Sequence, residues 1–522
     1  MRFVTCEQMR ALERRAILDL ALPGALLMGR AGYATARAAW LMLGDVANGR
    51  RTVTVLAGGG NNGGDGFGAA RHLTVWGAKV RVLVAGERAG ISGDALTHLE
   101  RMTAVGLRPE FLPDPEDWVE LGRQPCDADL VVDALLGTGA AGAPRGAVAS
   151  AIRVAAGMAE HALVLAVDVP SGLDADTGAA QGEAVQADLT VTFGRPKTGM
   201  ARPEAWAFTG SVLVEDIGIS GELGSDLESW PEMVCPLDFR DAFPARKRCA
   251  HKGDFGRVCV IAGAAGFAGA AAMAARAAAR AGAGLVFVLA PRSVAPTIAA
   301  LVPEAMVHGI DETPDKTPAF HGVESRLGLV ADSDAVLVGP GMTPHEETRM
   351  IVDRLLGLLK DKPLVVDADG LNVHAGQLEA FAKSGARVFL TPHPGELARL
   401  TGKSVGAIQG DRPRAARDAA DCGRCIVVLK GAGTLVASPL RVPRLNLTGN
   451  PGMATGGSGD VLAGLLAGLS AQTADMQAAA EMAVWCHGHA GDRLAWKGSQ
   501  AGLIAPDLLE IMPEILRGVM SR

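Results

Sequence analysis

The sequence predicts an α/β protein built from two large domains, each around a mostly parallel sheet. Three observations support this prediction. At 522 residues the chain is too long for one ordinary hydrophobic core. Short apolar, β-branched runs alternate with helical segments, which is the pattern of βαβ units. The 67 glycines, 48% hydrophobic residues and only 4% aromatic residues are typical of α/β proteins, in which small residues form tight turns and let helices pack closely on sheets.

The first half begins with a predicted amphipathic helix after Thr5, with Glu7 and Gln8 in its first turn. Five predicted strands follow, each leading into a helical segment: TVTVLAG, AKVRVLVAG, ADLVVDALLG, ALVLAVDVPSG and ADLTVTFG. We expect a parallel sheet with helices on both faces. Ligands of such sheets bind at the carboxyl ends of the strands. The loops GGGNNGGDG, DALLGTG and DVPSG lie at those ends and should converge on one site.

The regular alternation stops between residues 221 and 248, where prolines and mixed charges show no sustained period. We predict a connection here between domains that span residues 1–220 and 249–522. A second alternating series then contains six predicted strands: GRVCVIAG, GLVFVLAP, DAVLVGPG, KPLVVDADG, ARVFLTPHPGE and CIVVLKGAG. The chain ends in helices, the first of which begins in GGSGDVLAGLLAGL.

Charge and composition exclude several classes of protein. The formal net charge of −7 comes from interspersed residues of both signs, so no basic face is predicted to bind nucleic acid. The N-terminus lacks the apolar core of a signal peptide, and the most apolar region, residues 258–290, contains Arg276 and Arg280, which are costly in a bilayer. We therefore expect a soluble, cytoplasmic protein with no membrane partner.

The eight cysteines are scattered, which predicts free thiols in a reducing compartment. Cys422 and Cys425 form a C-x-x-C pair. No second pair with zinc-ligand spacing accompanies it, so the sequence gives little support for a metal site, and a redox role stays open.

The stretch GGGNNGGDGFG contains the spacing G-x-G-x-x-G at Gly58, Gly60 and Gly63. This is a dinucleotide-binding fingerprint, in which glycines let a pyrophosphate approach backbone amides. Asp65 does not fit that role, because a carboxylate repels phosphate. It either touches a substrate or holds the turn. The spacing therefore indicates a dinucleotide without establishing a dehydrogenase.

In the second half, the segment TGNPGMATGGSGD at residues 448–460 runs directly into an apolar helix. Free backbone amides at the positive end of a helix dipole bind anions. Asp460 lies in the first helical turn, where it either caps the helix or acts as a base on a hydroxyl. Its position beside an anion-binding loop favours the base, with the loop amides stabilising a transferring phosphoryl group.

Two further candidate residues follow predicted strands of this half. Lys430, in VLKGAGT, suits the phosphates of an adenine nucleotide, with a surface lysine as the alternative. His393 lies between two prolines in TPHPGE, and this stiff loop favours a ligand contact over a structural histidine. The loops GPGMT and DADGLN should line the same crevice.

The motifs HKGDFGRVCVIAG, GPGMT, DADGLN, TPHPGE, LKGAGT and NPGMATGGSGDVLAG, in this order, resemble those of the ADP/ATP-dependent NAD(P)H-hydrate dehydratases, which have a ribokinase-like fold. The motifs LMGRAG, GGGNNGGDGFGAAR, DALLGTG, DVPSGLDADTG and FGRPKTG resemble NAD(P)H-hydrate epimerase, a frequent fusion partner. The resemblance implies a Rossmann-like three-layer α/β/α epimerase domain followed by a ribokinase-like, ADP-dependent dehydratase domain.

Enzymes of this kind repair hydrated NADH and NADPH, in which water has added across the nicotinamide 5,6 double bond. The resemblance implies that one domain interconverts the R and S epimers at C6 and that the other returns the S form to NAD(P)H. ADP is the expected phosphoryl donor, with AMP and phosphate as products. The expected path is phosphorylation of the hydroxyl and then elimination of phosphate, which is a better leaving group than hydroxide.

The resemblance also implies site residues in the epimerase domain. Asp168 is the expected acid/base group, and K⁺ is expected at Asn62, Asp133 and Ser171. Amide, carboxylate and hydroxyl oxygens suit such a hard cation. The residues expected to bind the substrate are Asp168 together with Asn61, Asn62, Gly63, Gly64, Asp65, Gly137, Thr138, Gly139, Ala140, Ala141, Gly142 and Ala143.

In the dehydratase domain, the resemblance makes Asp460 the base. The anion loop is expected at Gly456, Gly457, Ser458 and Gly459, and the hydrate is expected to contact Ala270, Gly341, His393 and Asp460. The adenine nucleotide is expected at Lys430, Gly431, Ala432, Gly433, Thr434 and Gly459. Mg²⁺ is expected with the nucleotide but without a carboxylate cage, because phosphates and water often supply most of its ligands.

Two other interpretations stay open at this point. A ribokinase-type kinase of a small alcohol would have a similar anion loop and base, and an epimerase-like domain can serve as a dimerising scaffold. The full NPGMATGGSGD segment argues against the first, and the joint presence of Asn62, Asp133, Asp168 and Ser171 argues against the second. The expected partners are hydrated NADH or NADPH and ADP, and we expect a homo-oligomer.

Overall fold

The computed structural model describes residues 1–44, 51–140, 142–219, 230–243 and 245–520. The chain divides into two compact units, Met1–Ser229 and Trp230–Arg522. In the described part of the chain, no helix is both long enough and apolar enough to cross a lipid bilayer. All eight cysteines are free thiols, as their scattered spacing predicts.

The first unit is a parallel sheet with helices packed on it. Its described strands are β1 (Thr52–Ala57), β2 (Lys79–Val84), β3 (Glu110–Phe111), β4 (Leu130–Ala134), β5 (Leu163–Val167), β6 (Leu189–Phe193) and β7 (Ser211–Glu215). Its described helices are α1 (Cys6–Asp19), α2 (Gly24–Leu43), α3 (Asn61–Val75), α4 (Gly93–Ala104), α5 (Pro115–Gly122), α6 (Gly146–Met158) and α7 (Trp206–Thr209). The strand order is β3-β2-β1-β4-β5-β6-β7.

The sequence reveals these elements best where burial or capping is strong. α1 begins after Thr5, whose hydroxyl accepts a hydrogen bond from the amide of Gln8, while the Gln8 side chain accepts one from the amide of Thr5. This capping box fixes the predicted start of the helix. The five predicted strands are confirmed as β1, β2, β4, β5 and β6. The edge strands β3 and β7 were missed, because β3 has two residues and β7 is only partly buried.

The second unit contains a larger, mixed sheet. Its described strands are β8 (Glu232–Met233), β9 (Arg257–Ile261), β10 (Leu285–Pro291), β11 (Met306–Ile310), β12 (Ala335–Val338), β13 (Pro363–Val366), β14 (Arg387–Leu390), β15 (Ile426–Leu429), β16 (Thr434–Ala437) and β17 (Arg444–Asn446). The strand order is β11-β10-β9-β12-β13-β14-β15-β16-β17-β8, antiparallel at β15-β16 and β16-β17. The six predicted strands are confirmed as β9, β10, β12, β13, β14 and β15.

Helices cover this second sheet. They are α8 (Pro236–Phe239), α9 (Ala268–Arg280), α10 (Ala295–Leu301), α11 (Phe320–Glu324), α12 (Leu327–Ala331), α13 (Glu346–Leu358), α14 (Asp369–Asn372), α15 (Pro394–Thr401), α16 (Val405–Gly410), α17 (Arg412–Gly423), α18 (Ser458–Ser470), α19 (Met476–Lys497) and α20 (Ala505–Val519). α18 is the helix predicted to follow the anion loop. It is buried over most of its length and packs against α9 and α19, which anchors the loop at its start.

Part of the connection predicted at residues 221–248 belongs to the second compact unit. Residues 220–229 and 244 lie outside the described residues, but 230–243 belong to the second unit. β8 pairs with β17, and Phe239 and Phe243 are buried in the hydrophobic core. A two-residue strand and a four-residue helix are too short to show a periodic pattern. The predicted linker therefore includes residues that belong to the second unit.

Both sheets reverse their strand order at one point. In the first unit, β2 and β3 extend to one side of β1, and the chain then returns to place β4 on the other side. In the second unit, β9 has β10 on one side and β12 on the other. Ligands of open α/β sheets bind in the crevice outside the carboxyl ends of the strands at such a reversal.

Candidate active sites

The loop after β1 is compact because its glycines let backbone segments touch. A Cβ at Gly63 would lie 1.9 Å from the carbonyl oxygen of Gly58, and a Cβ at Gly58 would lie 2.1 Å from that of Leu135. These approaches hold the start of α3 beside the end of β4. By contrast, no atom lies within 4 Å of a Cβ built at Gly60. Close backbone packing therefore explains the glycine at two of the three fingerprint positions, Gly58 and Gly63.

We expect Gly63→Ala to destabilise the first unit by roughly 1–3 kcal/mol, because the added methyl group must displace backbone atoms. Gly60→Ala is the matched control, since its methyl group would enter open space. Thermal unfolding of the two variants measures the difference. Equal losses of stability would contradict the close approach of α3 to the preceding loop.

Asn62, Asp133 and Ser171 form one buried network. The Asp133 carboxylate accepts hydrogen bonds from the amide and hydroxyl of Ser171, at 2.8 and 2.6 Å. The Ser171 hydroxyl accepts one from the amide of Leu136, and the Asn62 side-chain amide donates to the Leu136 carbonyl oxygen at 2.8 Å. Burial raises the pKa of Asp133 to about 6, against the opposing effect of the bonds from Ser171. The structure thus joins the three residues that were expected to bind K⁺.

Asp168 follows β5 in a strained conformation. Its φ of 65° lies in the left-handed region, which non-glycine residues seldom adopt. The Lys197 ammonium forms an ion pair with the Asp168 carboxylate and donates to the Thr192 hydroxyl at 2.7 Å, and this hydroxyl donates to Asp168 at 3.1 Å. The Lys197 side chain is only 1% exposed. A buried lysine therefore holds the Asp168 carboxylate in one position.

Two more carboxyls lie near this ion pair. Asp65, close to the start of α3, and Glu13, on α1, are both half-buried. Burial raises the pKa of each, and the negative charge of Asp168 raises both further. Glu13 also raises the pKa of Asp65, whereas Lys197 lowers it. The structure therefore gathers three carboxyls and one ammonium in the first unit.

The remaining residues expected to bind the epimerase substrate belong to the start of α3 and to the segment that follows β4 in the sequence. Gly63 and Gly64 are buried at the start of α3, and Gly137 packs against the Asn62 side chain, 3.1 Å from a Cβ built at Gly137. Thr138 is half-buried. The exposed members of the set are Asn61, Gly139, Ala140, Gly142 and Ala143, and Ala141 lies outside the described residues.

The predicted anion loop of the second unit leads into α18. Gly457 has a φ of 91°, and Ser458 begins the helix, whose first amides lack intrahelical partners. Nε2 of His487, on α19, lies 3.0 Å from the carbonyl oxygen of Ser458. Burial lowers the pKa of His487 to about 4, so its ring is neutral and donates a hydrogen bond from Nε2 to this carbonyl. His487 therefore holds the first residue of α18, directly after the loop, through this hydrogen bond.

Lys430 is the centre of a charged cluster. Its Nζ lies 2.8 Å from Oδ1 of Asp367 and 3.7 Å from Oε2 of Glu396. Asp367 also accepts a hydrogen bond from the Thr391 hydroxyl at 2.7 Å. Burial lowers the pKa of Lys430, but the two carboxylates more than offset this and raise it overall. Lys430 is thus a fixed, charged group and not a free surface lysine.

Asp460 faces the same cluster. Burial, with repulsion from Asp367, raises its pKa to about 7, although Lys430 opposes the shift. A Cβ built at the neighbouring Gly459 would lie 3.4 Å from Nζ of Lys430. α18 has no side-chain capping hydrogen bond, so the structure does not support a capping role for Asp460. The carboxyl is instead poised between its two protonation states beside a cation and an anion loop.

The residues expected to contact the hydrate come from neighbouring strands. A Cβ at Gly341, after β12, would lie 3.1 Å from the Cβ of Ala270, which follows β9. His393 has a structural role as well, because its Nδ1 accepts a hydrogen bond from the amide of Gly395 at 3.0 Å. Burial and the charge of Lys430 lower the pKa of His393, which links it to the charged cluster.

The expected nucleotide residues 430–434 form the turn between β15 and β16. Gly431 and Gly433 have φ values of 131° and 60°. Arg412, on α17, donates hydrogen bonds to the carbonyl oxygens of Leu429, Lys430 and Gly433 at 3.2–3.3 Å. The Thr434 hydroxyl closes the turn by donating to the Gly431 carbonyl at 2.9 Å, and Ala432 lies exposed at its tip. Arg412 therefore fixes the shape of this loop.

Sequence reasoning missed several members of these clusters. Lys197, Asp367 and Glu396 lie inside motifs quoted above, and the available signal was a charged residue within six positions of the end of a strand. Arg412 and His487 lie on helices, and their partners are carbonyl oxygens of distant loops. A single sequence contains no pattern that predicts such contacts, because any residue can supply the carbonyl oxygen.

The two expected cation sites differ in kind. In the described residues, no group of three or more His, Cys, Asp or Glu side chains is arranged to hold a metal ion. The Asn62, Asp133 and Ser171 network offers amide, carboxylate and hydroxyl oxygens around a buried carboxylate, a donor set that fits a hard monovalent cation. Asp367 and Glu396 fit Mg²⁺ only with phosphate oxygens and water as its other ligands.

Two α/β units, each with charged groups collected beyond the carboxyl ends of its strands, and an anion loop at a helix N-terminus define a two-domain enzyme that uses a nucleotide. Residues 24–199 match the family model described as YjeF-related protein N-terminus, and residues 258–514 match the model described as NAD(P)H-hydrate dehydratase. The chain belongs to the family of bifunctional NAD(P)H-hydrate repair enzymes. This confirms the predicted resemblance and the fold class, a Rossmann-like α/β/α unit followed by a ribokinase-like unit.

Relatives matched over nearly their full length show that the chain belongs to this family. The bifunctional NAD(P)H-hydrate repair enzyme of Moorella thermoacetica is 38% identical over 99% of this chain and 97% of its own length. The Coxiella burnetii enzyme of that name is 38% identical over 96% of each chain, and the Escherichia coli enzyme is 35% identical over 98% and 93%. The ADP/ATP-dependent NAD(P)H-hydrate dehydratase from Bacillus subtilis, solved with ATP/Mg²⁺, is 30% identical over 55% of this chain and 99% of its own, with a TM-score of 0.48.

Proposed function

We propose that this chain repairs hydrated NADH and NADPH in two steps. The first unit interconverts the R and S epimers at C6, and the second unit dehydrates the S form with ADP as phosphoryl donor. The observation that carries the proposal is Asp460, beside the anion loop and the Lys430 cluster, in a chain whose first unit holds a separate charged cluster around Asp168. Kinase activity alone would leave the first site without a purpose.

In the dehydration, the Asp460 carboxylate accepts the proton of the C6 hydroxyl. The oxygen attacks the terminal phosphorus of ADP, the bond between that phosphorus and the bridging oxygen breaks, and AMP leaves. Amides of Gly456, Gly457 and Gly459 stabilise the charge of the transferring phosphoryl group, and Lys430 stabilises the nucleotide phosphates. Residues 430–434 hold the adenine nucleotide, while Ala270, Gly341 and His393 contact the hydrate.

Elimination follows at the same site. The C6–O bond breaks with departure of phosphate, the departing phosphate takes up the proton that leaves C5, and the C5=C6 double bond of NAD(P)H forms. The atoms balance as hydrate plus ADP giving NAD(P)H, AMP and phosphate. Asp367 and Glu396 are the carboxylates that would hold Mg²⁺ with the nucleotide, and such an ion supplies charge neutralisation to the phosphates. Thr391 and Lys430 meanwhile keep Asp367 in position.

In the first unit, Asp168 exchanges a proton with the substrate at C6. Residues 61–65 and 137–143 surround the hydrated nicotinamide, with Asp168 at the centre of the site. Asn62, Asp133 and Ser171 would hold K⁺, which supplies a counter-charge for the buried Asp133 carboxylate. The fixed Lys197 keeps Asp168 oriented throughout. Cytoplasmic location and a homo-oligomeric state, with small molecules as the only other partners, complete the proposal.

Separate epimers and nucleotides test the dehydration. The S hydrate of NADH is incubated with ADP or with ATP, and the near-ultraviolet absorbance of NADH and the amount of AMP are followed. We expect NADH and AMP to appear in equal amounts with ADP. Consumption of nucleotide without NADH would indicate a kinase, and no recovery with either nucleotide would overturn the dehydratase.

The dehydration rate should also depend on pH through Asp460. Burial raises the pKa of this carboxyl to about 7, so the base form is abundant only above that pH. We expect kcat/KM for the S hydrate to fall as the pH drops below about 7. A rate profile measured at saturating ADP checks this. A profile that stays flat down to the ordinary pKa range of an aspartate would contradict the role of Asp460 as base.

A further inference from the structure

The carboxyls of Asp65 and Asp168 have opposite surroundings, and this difference points to separate roles. Asp168 accepts hydrogen bonds from the Lys197 ammonium and the Thr192 hydroxyl. Lys197 is buried, so water screens this ion pair little, and the lysine holds the Asp168 carboxylate in one orientation. A carboxylate that is fixed by an ion pair and a hydrogen bond is suited to accept a proton.

Asp65 has no such partner. Among the described residues, none donates a hydrogen bond or forms an ion pair with its carboxyl, although the residue is half-buried. The carboxyl therefore does not hold the turn, which was one of its two possible roles. The charged groups that face it are Glu13 from α1, Asp168 after β5 and Lys197 after β6. Two negative charges and burial against one positive charge favour the protonated form.

We propose that Asp65 is the general acid and Asp168 the general base of C6 epimerisation. The inference rests on the proposed epimerase function and deepens it. Two carboxyls whose surroundings favour opposite protonation states can act as an acid and a base at the same pH. The cluster then needs no histidine to supply a proton.

The chemistry of the substrate suits such a pair. C6 of the hydrate carries a hydroxyl and is bonded to the ring nitrogen N1. Asp168 accepts the hydroxyl proton, the C6–N1 bond breaks to give an aldehyde at C6, and Asp65 donates its proton to N1, which keeps the electron pair of the broken bond. Rotation about C5–C6 presents the other face of the aldehyde. Closure reverses both transfers, so each carboxyl returns to its initial state without any oxidation or reduction.

Ring opening also explains why the two activities are separate. Loss of water from C6 would give a cation that forms NAD(P)H directly when it loses a proton from C5. An epimerase that used this cation would compete with the nucleotide-dependent step of the second unit. With ring opening, the original oxygen stays on C6 throughout the epimerisation.

The test uses the full chain, the R hydrate of NADH and separation of the two epimers, without nucleotide. We expect Asp65→Asn to lower kcat by about 10²- to 10⁴-fold with little change in KM, as for loss of a general acid. In the wild-type chain the rate should fall on the alkaline side as Asp65 loses its proton, and residual activity of Asp65→Asn should lack this fall. Thermal unfolding and unchanged dehydration of the S hydrate check that the variant is folded.

Glu13→Gln supplies a second, independent variant. Glu13 raises the pKa of Asp65, so its removal should move the alkaline fall of the wild-type rate to lower pH while epimerisation continues. In labelled water, the S product should retain its original C6 oxygen at early times.

Three outcomes would overturn the inference: an alkaline fall that persists in Asp65→Asn, a fall that does not move in Glu13→Gln, or one labelled oxygen gained per epimerisation. If the wild-type chain itself does not epimerise the R hydrate, the proposed function of the first unit fails, and not merely the role of Asp65.

Discussion

Asp460→Asn should reduce dehydration of the S hydrate by about 10²- to 10⁴-fold, because an amide cannot accept the proton of the C6 hydroxyl. The position of Asp460 at the start of α18, beside Lys430 and the anion loop, gives it no other described role. Steady-state rates with the S hydrate and ADP measure the loss. Epimerisation of the R hydrate should be unchanged, since it occurs in the other unit.

Stability provides a control with a definite sign. Burial raises the pKa of Asp460 in the folded chain from 3.8 to about 7, so the ionised carboxyl destabilises the folded state increasingly as pH rises through this range, and the full cost is present above about pH 7. Asp460→Asn removes that cost. The variant should therefore unfold at the same temperature as the wild-type chain or a higher one in mildly alkaline buffer. Loss of both activities, or a lower unfolding temperature, would contradict a purely catalytic role.

Asp168→Asn should abolish R-to-S conversion while leaving dehydration of the S hydrate intact. The amide can still accept a hydrogen bond from Lys197 but cannot take the hydroxyl proton of the substrate. Separation of the epimers after incubation with the R hydrate measures the effect. Epimerisation at the wild-type rate would reduce Asp168 to a structural residue of its turn.

The same change leaves Lys197 as a buried cation without a carboxylate, and removal of one partner of a buried ion pair typically costs about 3–5 kcal/mol. A loss of folding could therefore imitate a loss of catalysis. The double variant Asp168→Asn, Lys197→Met removes the uncompensated charge. We expect it to regain stability relative to the single variant but not epimerisation. Recovery of epimerisation along with stability would contradict the catalytic role.

Much of the fold could be predicted from the sequence because buried parallel strands are short, apolar and bounded by glycine-rich turns. The loops after β1, β4 and β5 were predicted to converge, and the strand order places these strands side by side. The start of α1 was predictable because its capping box is local. Strands such as β7 and β16 were not, since β7 is a partly buried edge strand and β16 has only four residues.

In the sites too, residues in local sequence motifs could be predicted, whereas residues whose partners are distant in sequence could not. Asp168 and Asp460 lie in glycine-rich loops with a readable pattern, whereas the role of Lys197 depends on a carboxylate 29 positions away in the sequence. Asp65 was ambiguous for this reason as well. The pKa of Asp65 depends on Glu13, Asp168 and Lys197, which the fold brings together from α1 and two strand ends. Residues whose function is set by such neighbours require the structure.

The proposed function requires that one chain converts the R hydrate to NADH by epimerisation and ADP-dependent dehydration. The most direct measurement incubates the purified chain with pure R hydrate and ADP and follows NADH and AMP together. We expect full recovery of NADH with one AMP formed per NADH, and recovery by a mixture of Asp168→Asn and Asp460→Asn although each variant alone fails. No recovery by the wild-type chain, with either ADP or ATP, would contradict it.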